Sequence, residues 1–353
     1  MNPVPPAITR IAIPSLVRVK EGALDRVGLY LERAALLRVA VFCSDGLLDS
    51  LQQRLRASLD QSGIDVPVWT AVTNNELEAA AASFVDLPAR TAAIVGIGGG
   101  KALDIAKYVA FLGRIPYYAV PTSLSNDGFC SPQSSLTARG RRKSIPSAMP
   151  TGVIVDVGVC SQAPRLLTLS GVGDLVAKLT AVRDWKLSFH ATGEQVNDFA
   201  ALLSDGALHA YRSHPVLDTE GIRLLATGLL LNGIAMEIAG SSRPASGSEH
   251  LISHALDAIS ARPALHGLQV GVASYLVSLL QGQNSGVIDE IFERSGFWEA
   301  VAAAPFSRGE WTRAIDLAPT LKTDFYTILS APDQVRRARE LLESDRRLRQ
   351  CVT

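Results

Sequence analysis

The chain has 353 residues, and its 34 Lys and Arg residues balance 34 Asp and Glu residues, so the formal net charge is zero. This balance argues against a nucleic-acid binder or a polybasic membrane surface, because both depend on concentrated positive charge. The length suggests two domains, and the hydrophobic content of 47% suggests large buried cores, with a subunit interface as one part of the buried surface.

No targeting or membrane segment is predicted. Residues 1–10 lack the charged and apolar regions of a signal peptide. The most apolar stretch, residues 224–239, is interrupted by polar residues and is shorter than the ~20 residues of a spanning helix. The four cysteines are scattered without C-x-x-C spacing, which is typical of structural thiols in a reducing compartment. We therefore expect a cytoplasmic protein that binds neither membranes nor nucleic acid.

Strand and helix signals alternate through the first half of the chain. The predicted strands are residues 37–42, 66–69, 92–96, 116–120 and 152–156. The predicted helices are residues 47–59, residues 75–85 and the segment that begins near Gly100. Such alternation predicts βαβ units and a mostly parallel sheet with helices on both faces, and Pro67 places the second strand at an edge. Polar residues 122–151 predict a functional loop with a hairpin.

The second half of the chain has a different character. From about residue 163, Leu, Ala and Val recur at helical spacing, and runs of β-branched residues become rare. The fold class predicted is therefore α/β followed by all-α, with an α/β domain over residues 1–160 and an all-helical domain over residues 161–353. The connection between them is short, which favours two domains packed around a cleft.

A glycine-rich turn separates the strand at residues 92–96 from the helix that follows. Gly98, Gly99 and Gly100 stand between an apolar run and an amphipathic segment. Glycines here let backbone N–H groups approach a phosphate at a helix N-terminus. The spacing is not G-x-G-x-x-G, so on its own the turn is as typical of tight packing as of a phosphate site.

Three of the six histidines lie between residues 250 and 266. His250 and His254 are four residues apart and share one helix face, while His266 follows a break at Arg262 and Pro263. Two imidazoles from one helix and a third from the next element could meet at one divalent metal, which would leave a coordination position open for catalysis. The alternative is a set of hydrogen-bonded interior histidines.

Motifs in a fixed order between about residues 90 and 270 carry a family resemblance. They are GGGK (98–101), DIAK (104–107), PTSLSNDG (121–128), SP (131–132), KS (143–144), GVGDL (171–175), TAVRDW (180–185), SGSEH (246–250), SHALD (253–257) and HG (266–267). On these motifs the chain resembles the metal-dependent superfamily of glycerol dehydrogenase, iron-containing alcohol dehydrogenases and dehydroquinate synthase. Within it, the chain most resembles the sn-glycerol-1-phosphate dehydrogenase family.

The resemblance implies a Rossmann-like NAD-binding domain, a helical metal- and substrate-binding domain, and an active site in the cleft. It implies Asp174, His250 and His266 as metal ligands, with zinc favoured and iron or nickel also compatible. It implies catalytic and substrate-binding roles for Asp127 and His254, and a substrate contact for Asp174. The alternatives from the residues alone are a helix cap for Asp174, an ordinary turn for Asp127 and a packing histidine for His254.

The resemblance also implies cofactor contacts along the first domain. Gly98, Gly99, Gly100 and Lys101 would bind the pyrophosphate of NAD or NADP, and Thr122, Ser123, Ser125 and Ser131 would surround the nicotinamide half. Asp45 would bind the adenosine ribose, which favours NAD because a carboxylate repels the 2′-phosphate of NADP. Arg142 and Lys143 could neutralise a substrate phosphate, although a basic hairpin is more often simply solvated. A homodimer or larger homo-oligomer is the family-based expectation.

Two residues depart from the family pattern. Leu268 stands where glutamate is usual, and Asn126 stands where histidine is usual. The implied function is reversible hydride transfer between NAD(P)H and a small polyol phosphate, namely dihydroxyacetone phosphate and sn-glycerol 1-phosphate, in phospholipid metabolism. The alternatives are a dehydrogenase of another polyol or keto compound, a sugar-phosphate cyclase of the dehydroquinate synthase type, and a non-catalytic binding protein.

Overall fold

The computed structural model describes residues 11–353, so residues 1–10, on which the signal-peptide prediction rests, lie outside it. Strands and helices alternate up to residue 156, and helices dominate from residue 157 onward. The strands are β1 (Leu16–Lys20), β2 (Arg38–Ser44), β3 (Asp65–Val72), β4 (Ala93–Gly98), β5 (Tyr117–Pro121), β6 (Gln133–Ala138), β7 (Arg141–Pro146) and β8 (Gly152–Asp156).

The α/β part contains four of the helices in the described residues: α1 (Val27–Arg33), α2 (Asp49–Gln61), α3 (Leu77–Val85) and α4 (Gly100–Gly113). The helical part begins with α5 (Val157–Cys160), α6 (Arg165–Val176), α7 (Lys178–Thr192), α8 (Asp198–Arg212), α9 (Thr219–Ala239), α10 (Ser248–Ile259) and α11 (His266–Leu280). It ends with α12 (Ser285–Ser295), α13 (Phe297–Ala302), α14 (Arg308–Leu317), α15 (Pro332–Ser344) and α16 (Arg346–Cys351). The predicted fold class, α/β followed by all-α, is confirmed; the exact division after residue 160 stays a prediction.

The main sheet in residues 11–353 has six strands in the order β1-β8-β5-β4-β2-β3, and all its pairings are parallel. β3 lies at an edge, as Pro67 predicts, because proline cannot donate to a neighbouring strand. β6 and β7 form the predicted hairpin as a separate antiparallel pair. β1 precedes the first predicted strand and was missed, because its sequence LVRVK alternates with charge at the other edge of the sheet.

Alternating side chains of the central strands enter two different cores, as the two faces of a strand require. Val39 and Val41 of β2 pack with α1 and α2, while Ala40 and Phe42 pack with α3 and α4. The sheet is therefore covered on both faces. The polar turns that follow its strands are left at the carboxyl edge, where parallel sheets bind ligands.

The apolar stretch near residue 224 belongs to a longer helix than the sequence predicted. α9 has 21 residues, and by length and composition alone it could cross a membrane, so the length argument was wrong. However, 56% of its most apolar window is buried inside the protein. Leu225 and Leu229 are fully buried in the large helical core. α9 therefore packs as a core helix.

Candidate metal centre and cofactor edge

Helices α6 and α11 approach each other so closely that only glycine fits between them. A Cβ on Gly173 would lie 2.0 Å from the carbonyl oxygen of Gly267, and a Cβ on Gly267 would lie 1.8 Å from that of Ser170. The approach brings Asp174, near the end of α6, beside His266, the first residue of α11. Asp174 is thus inside a helix near its C-terminal end, which excludes the helix N-cap alternative.

Asp174, His250 and His266 meet at one point, where Asp174 and His250 are buried and His266 is half-buried. Each offers a ligand atom, and the three atoms lie within 4.8 Å of one another. His250 Nε2 is 3.4 Å from Asp174 Oδ1, and the rings of His250 and His266 have centroids 5.2 Å apart. Asp174 and His250 are 1% and 7% exposed. The three ligands implied by the sequence are therefore brought together.

The second ring nitrogen of each histidine ligand has a partner. His250 Nδ1 lies 2.9 Å from Glu249 Oε1, and His266 Nδ1 lies 3.0 Å from Ser253 Oγ. The fully buried Glu249 also accepts hydrogen bonds from Gly247 N at 2.5 Å and Thr180 Oγ1 at 2.9 Å. A carboxylate on Nδ1 holds a proton there and leaves the Nε2 lone pair free for a metal.

Lys178 balances two carboxylates beside the histidines. Its Nζ donates to Asp127 Oδ2 at 3.1 Å and to Ala245 O at 3.1 Å, and it lies 3.8 Å from Asp174 Oδ1. The Asp127 backbone N–H in turn donates to Asp174 Oδ2 at 2.9 Å. Asp127 is therefore held against the ligand carboxylate, and its loop has a defined place in the site.

Burial and neighbouring charge set the protonation of the carboxylates and of Lys178. Burial acts to raise the pKa of Asp174, but Lys178 and the hydrogen bond to His250 hold it well below its usual range. Burial and the charge of Asp174 raise the pKa of Asp127. Burial acts to lower the pKa of Lys178, but the two carboxylates raise it overall. Asp174 is thus ionised, as a carboxylate that is to bind a divalent cation must be.

The histidines respond in opposite ways to the same surroundings. Burial acts to lower the pKa of His250, but hydrogen bonds to Asp174 and Glu249 raise it overall. Burial and the nearby His250 lower the pKa of His266 to about 3. Burial and the charges of both other histidines lower the pKa of His254 well below its usual range. His254 and His266 are therefore neutral near pH 7.

His254 lies beside the three ligands without joining them. Its ring centroid is 6.0 Å from that of His266 and 6.3 Å from that of His250. One carboxylate and two imidazoles suit zinc and several other divalent metals. The donor set and its burial fit such an ion, and His254 and Asp127 lie beside the three side chains.

The carboxyl edge of the sheet adjoins this site. Gly98 ends β4 with φ +131°, and a Cβ there would lie 2.1 Å from Ser44 Oγ. Ser44 Oγ accepts a hydrogen bond from Gly99 N at 2.9 Å, while Thr122 N donates to Gly98 O at 3.0 Å. Gly100 opens helix α4 with nothing within 4 Å of an added Cβ. Space and unpaired helix N–H groups suit a pyrophosphate.

The loop after β5 links this edge to Asp174 and the histidines. Thr122 begins it, Ser170 Oγ of α6 donates to Ser125 O at 2.9 Å, and Asp127 follows two residues later. Ser123 lies beside Thr122, and both are half-buried. Ser131 is buried, and its hydroxyl is bonded to the Gln133 backbone in its own turn.

The other predicted cofactor residues lie on the same edge. Asp45 follows β2 and is exposed, and its N–H donates to Val72 O at 3.2 Å. Lys101 is exposed in the first turn of α4. Their contacts with a cofactor stay predictions.

Leu268 and Asn126, the two departures from the family pattern, have structural roles. Leu268 is 8% exposed and packs in the large helical core. Asn126 caps the turn before Asp127, since its Oδ1 accepts a hydrogen bond from Gly128 N at 2.9 Å. Cys130, in the same turn, is buried, and burial raises the pKa of its thiol to about 12, so it is a poor nucleophile.

Sequence reasoning missed Lys178 and Glu249. Lys178 follows Asp174 by four residues, and Glu249 immediately precedes His250. Both positions lie inside or beside the quoted motifs, and the i, i+4 spacing of a lysine after a carboxylate is a usable signal. The contacts of Lys178 with Asp127 and of Glu249 with Thr180 depend on tertiary packing, which sequence spacing does not predict.

Comparisons with known proteins agree with this architecture. The family model for iron-containing alcohol dehydrogenase matches residues 18–164. Glycerol-1-phosphate dehydrogenase [NAD(P)+] from Aeropyrum pernix is 35% identical over 339 residues, which cover 94% of this chain and 96% of that protein. The enzyme of the same name from Thermococcus sibiricus is 38% identical over 251 residues, which cover 70% of this chain and 72% of that protein.

Solved structures share the fold at low sequence identity. Glycerol dehydrogenase from Schizosaccharomyces pombe superimposes with a TM-score of 0.75 at 19% identity, covering 95% of this chain and 91% of that one. Maleylacetate reductase from Rhizobium sp. strain MTP-10005 superimposes with a TM-score of 0.70 at 16% identity, covering 94% of this chain and 97% of that one.

Proposed function

Since the chain belongs to the glycerol-1-phosphate dehydrogenase family, we propose that it reversibly interconverts dihydroxyacetone phosphate and sn-glycerol 1-phosphate, with NAD(P)H as the hydride donor in reduction. The observation that carries the proposal is the clustering of Asp174, His250 and His266, joined by Asp127 to the loop after β5. A metal site and a cofactor edge in one cleft are what such a reaction needs.

Asp174, His250 and His266 would hold one divalent metal. When bound there, that ion supplies Lewis acidity toward the carbonyl oxygen of a ketone. Asp174 is ionised and His266 is neutral, so neither has to lose a proton first. Zinc is the metal we propose, while iron and nickel are compatible with the same ligands.

Asp127 and His254 would contact the substrate beside the metal ligands. Lys178 fixes the Asp127 carboxylate through Oδ2, which leaves Oδ1 free to accept a hydrogen bond from a substrate hydroxyl. His254 is neutral and carries one ring proton, so it can donate and accept at its two nitrogens. It is therefore suited to pass a proton between the substrate oxygen and solvent.

The cofactor would lie along the carboxyl edge of the sheet. The backbone N–H groups at Gly98–Lys101 suit the pyrophosphate, and the hydroxyls of Thr122, Ser123, Ser125 and Ser131 suit the nicotinamide half. Asp45 would accept a hydrogen bond from the adenosine ribose, so we propose a preference for NAD over NADP.

The proposal is tested by following NADH oxidation by the zinc-loaded protein. Dihydroxyacetone phosphate is compared with unphosphorylated dihydroxyacetone, each with and without EDTA. Turnover of the phosphate ester that is faster and sensitive to EDTA is expected. A protein that binds zinc and NADH but turns over neither ketone would contradict the proposal. Stoichiometric consumption of NADH also separates a dehydrogenase from a cyclase, which consumes none.

A cytoplasmic location and a homodimer or larger homo-oligomer accompany this proposal as expectations. Each is open to a direct measurement, by cell fractionation and by light scattering of the purified protein.

A further inference from the structure

His266 is linked through the Ser253 hydroxyl to a second polar side chain, that of Gln269. Ser253 Oγ lies 3.0 Å from His266 Nδ1 and donates to Gln269 Oε1 at 2.7 Å. Ser253 and Gln269 are 0% and 2% exposed, so water does not compete for these contacts. Neither residue is a metal ligand.

The proton inventory fixes the direction of these bonds. Serine has one hydroxyl proton, and Ser253 gives it to Gln269 Oε1, which can only accept. Ser253 Oγ must therefore accept at its other contact, so His266 Nδ1 carries the proton and Nε2 keeps its lone pair. Ser253 and Gln269 thus keep the lone pair of His266 Nε2 available for a metal.

The Gln269 amide also neighbours the Asp257 carboxyl group. Burial raises the pKa of Asp257, while Arg142 and the nearby Gln269 side chain act against that rise. With its oxygen toward Ser253, as the hydrogen bond from Ser253 Oγ requires, the Gln269 amide nitrogen is the group left to donate toward this carboxylate. The reversed amide would set two oxygens against each other. Arg142 Nη1 lies 3.9 Å from Asp257 Oδ2 at the outer end.

We propose that Ser253 and Gln269 are positioning residues that hold His266 in the Nδ1-protonated tautomer and so prepare its Nε2 for the metal. The inference rests on the proposed function only in taking His266 as a ligand. A hydrogen-bonded second ring nitrogen orients a ligand histidine and raises its basicity, and loss of such a partner typically weakens metal binding about 10–100-fold.

The test is ¹⁵N NMR of the histidine rings in the full-length, zinc-free protein, because the ring nitrogen shifts distinguish the two neutral tautomers. His266 is assigned by comparison with His266→Asn. The wild-type protein should have His266 protonated at Nδ1. A His266 protonated at Nε2 would overturn the proposal whatever the enzyme turns over.

The decisive variant is Gln269→Met, which has a similar size and removes the amide that faces Ser253. Without the amide oxygen, the Ser253 hydroxyl proton is free to turn toward Nδ1, so the tautomer should move toward Nε2–H. Zinc affinity, measured by competition with a chelator, should fall about 10–100-fold. Unchanged ring shifts and zinc affinity in this variant would refute the role of Gln269.

Ser253→Ala should shift the His266 tautomer and weaken zinc binding in the same way. Ser253→Thr keeps the hydroxyl and should retain the wild-type tautomer and zinc affinity. Ser274→Ala is the matched control, because Ser274 is also fully buried but its hydroxyl only donates to Val270 O at 2.8 Å. A wild-type tautomer in the Ser253→Ala protein would count against the proposal. Failure of dihydroxyacetone phosphate turnover with the expected tautomer would instead refute the proposed substrate alone.

Discussion

Lys178 carries the positive charge that two buried carboxylates share. Its side chain is fully buried, and it contacts both Asp127 and Asp174. Removing one partner of a buried ion pair typically costs about 3–5 kcal/mol, because the remaining charge is left without a partner. Lys178→Met should lower the free energy of unfolding by about this amount and reduce kcat/KM by about 10–100-fold.

Urea unfolding and NADH oxidation check that prediction side by side. Lys186→Met is the control, since Lys186 lies on the same helix and is exposed. Wild-type stability together with wild-type turnover in the Lys178→Met protein would mean that the carboxylates do not need this cation.

Asp184 makes stability depend on pH in a direction opposite to that of most carboxylates. Burial and the charge of Glu249 raise its pKa to about 6. The folded protein therefore keeps a proton that the unfolded chain loses near pH 4, and the free energy of unfolding falls as pH rises from about 4 to about 6. Asp184→Asn removes this contribution.

The stability of Asp184→Asn relative to wild type should therefore rise by about 2 kcal/mol between pH 4 and pH 7. Urea titrations across this range in EDTA measure the difference, with the exposed Asp86→Asn as reference. A difference that stays constant with pH would show that Asp184 is ionised normally.

Asp45 is the residue on which cofactor preference is expected to depend. It is exposed at the carboxyl end of β2. Asp45→Ala removes a partner of the ribose hydroxyl and a charge that repels a 2′-phosphate, so kcat/KM for NADPH relative to NADH should rise about tenfold. Asp60→Ala, at the far end of α2, should leave the ratio unchanged. An unchanged ratio in the Asp45 variant would place the ribose elsewhere.

Among the elements, the contact between α6 and α11 sets the distance between Asp174 and His266. Gly173→Ala would place a Cβ 2.0 Å from a backbone oxygen of α11, which cannot move like a flexible side chain. Overpacking of this kind costs about 1–3 kcal/mol or more. The variant should lose stability, and its zinc affinity should fall because the two ligands are forced apart.

Thermal unfolding and chelator competition test the helix contact. Gly206→Ala on α8 is the matched control, because an added Cβ there meets nothing within 4 Å, and it should gain about 0.5–1 kcal/mol. A Gly173→Ala protein that binds zinc as tightly as wild type would show that the ligand geometry tolerates a wider helix spacing.

Element by element, regular patterns were readable from the sequence, while the edge of the sheet and the length of α9 were not. Strands β2 to β5 and β8 follow apolar runs bounded by turns, and they were predicted within a few residues. β1 was not, because an edge strand buries little and its pattern is weak. The polar residues within α9 gave no hint that the helix begins at Thr219.

At the scale of the whole molecule, motifs pointed to three residues that the structure brings together, and the tertiary structure supplied their hydrogen-bond partners. Asp174, His250 and His266 could be named because each lies in a distinctive motif. Lys178 and Gln269 could not, because each acts on a residue of another helix or loop, and the close approach of those elements depends on packing. Asn126 and Leu268 looked like changes in the chemistry, but they cap a turn and fill a core.

The central claim is that a single metal held by Asp174, His250 and His266 is required for reduction of the ketone. It is tested most directly by measuring zinc content and NADH-dependent turnover of dihydroxyacetone phosphate in the same preparations of wild type and His250→Ala. We predict one zinc ion per wild-type chain, and loss of both zinc and turnover in the variant. A His250→Ala protein that turns over at the wild-type rate without bound metal would contradict the account.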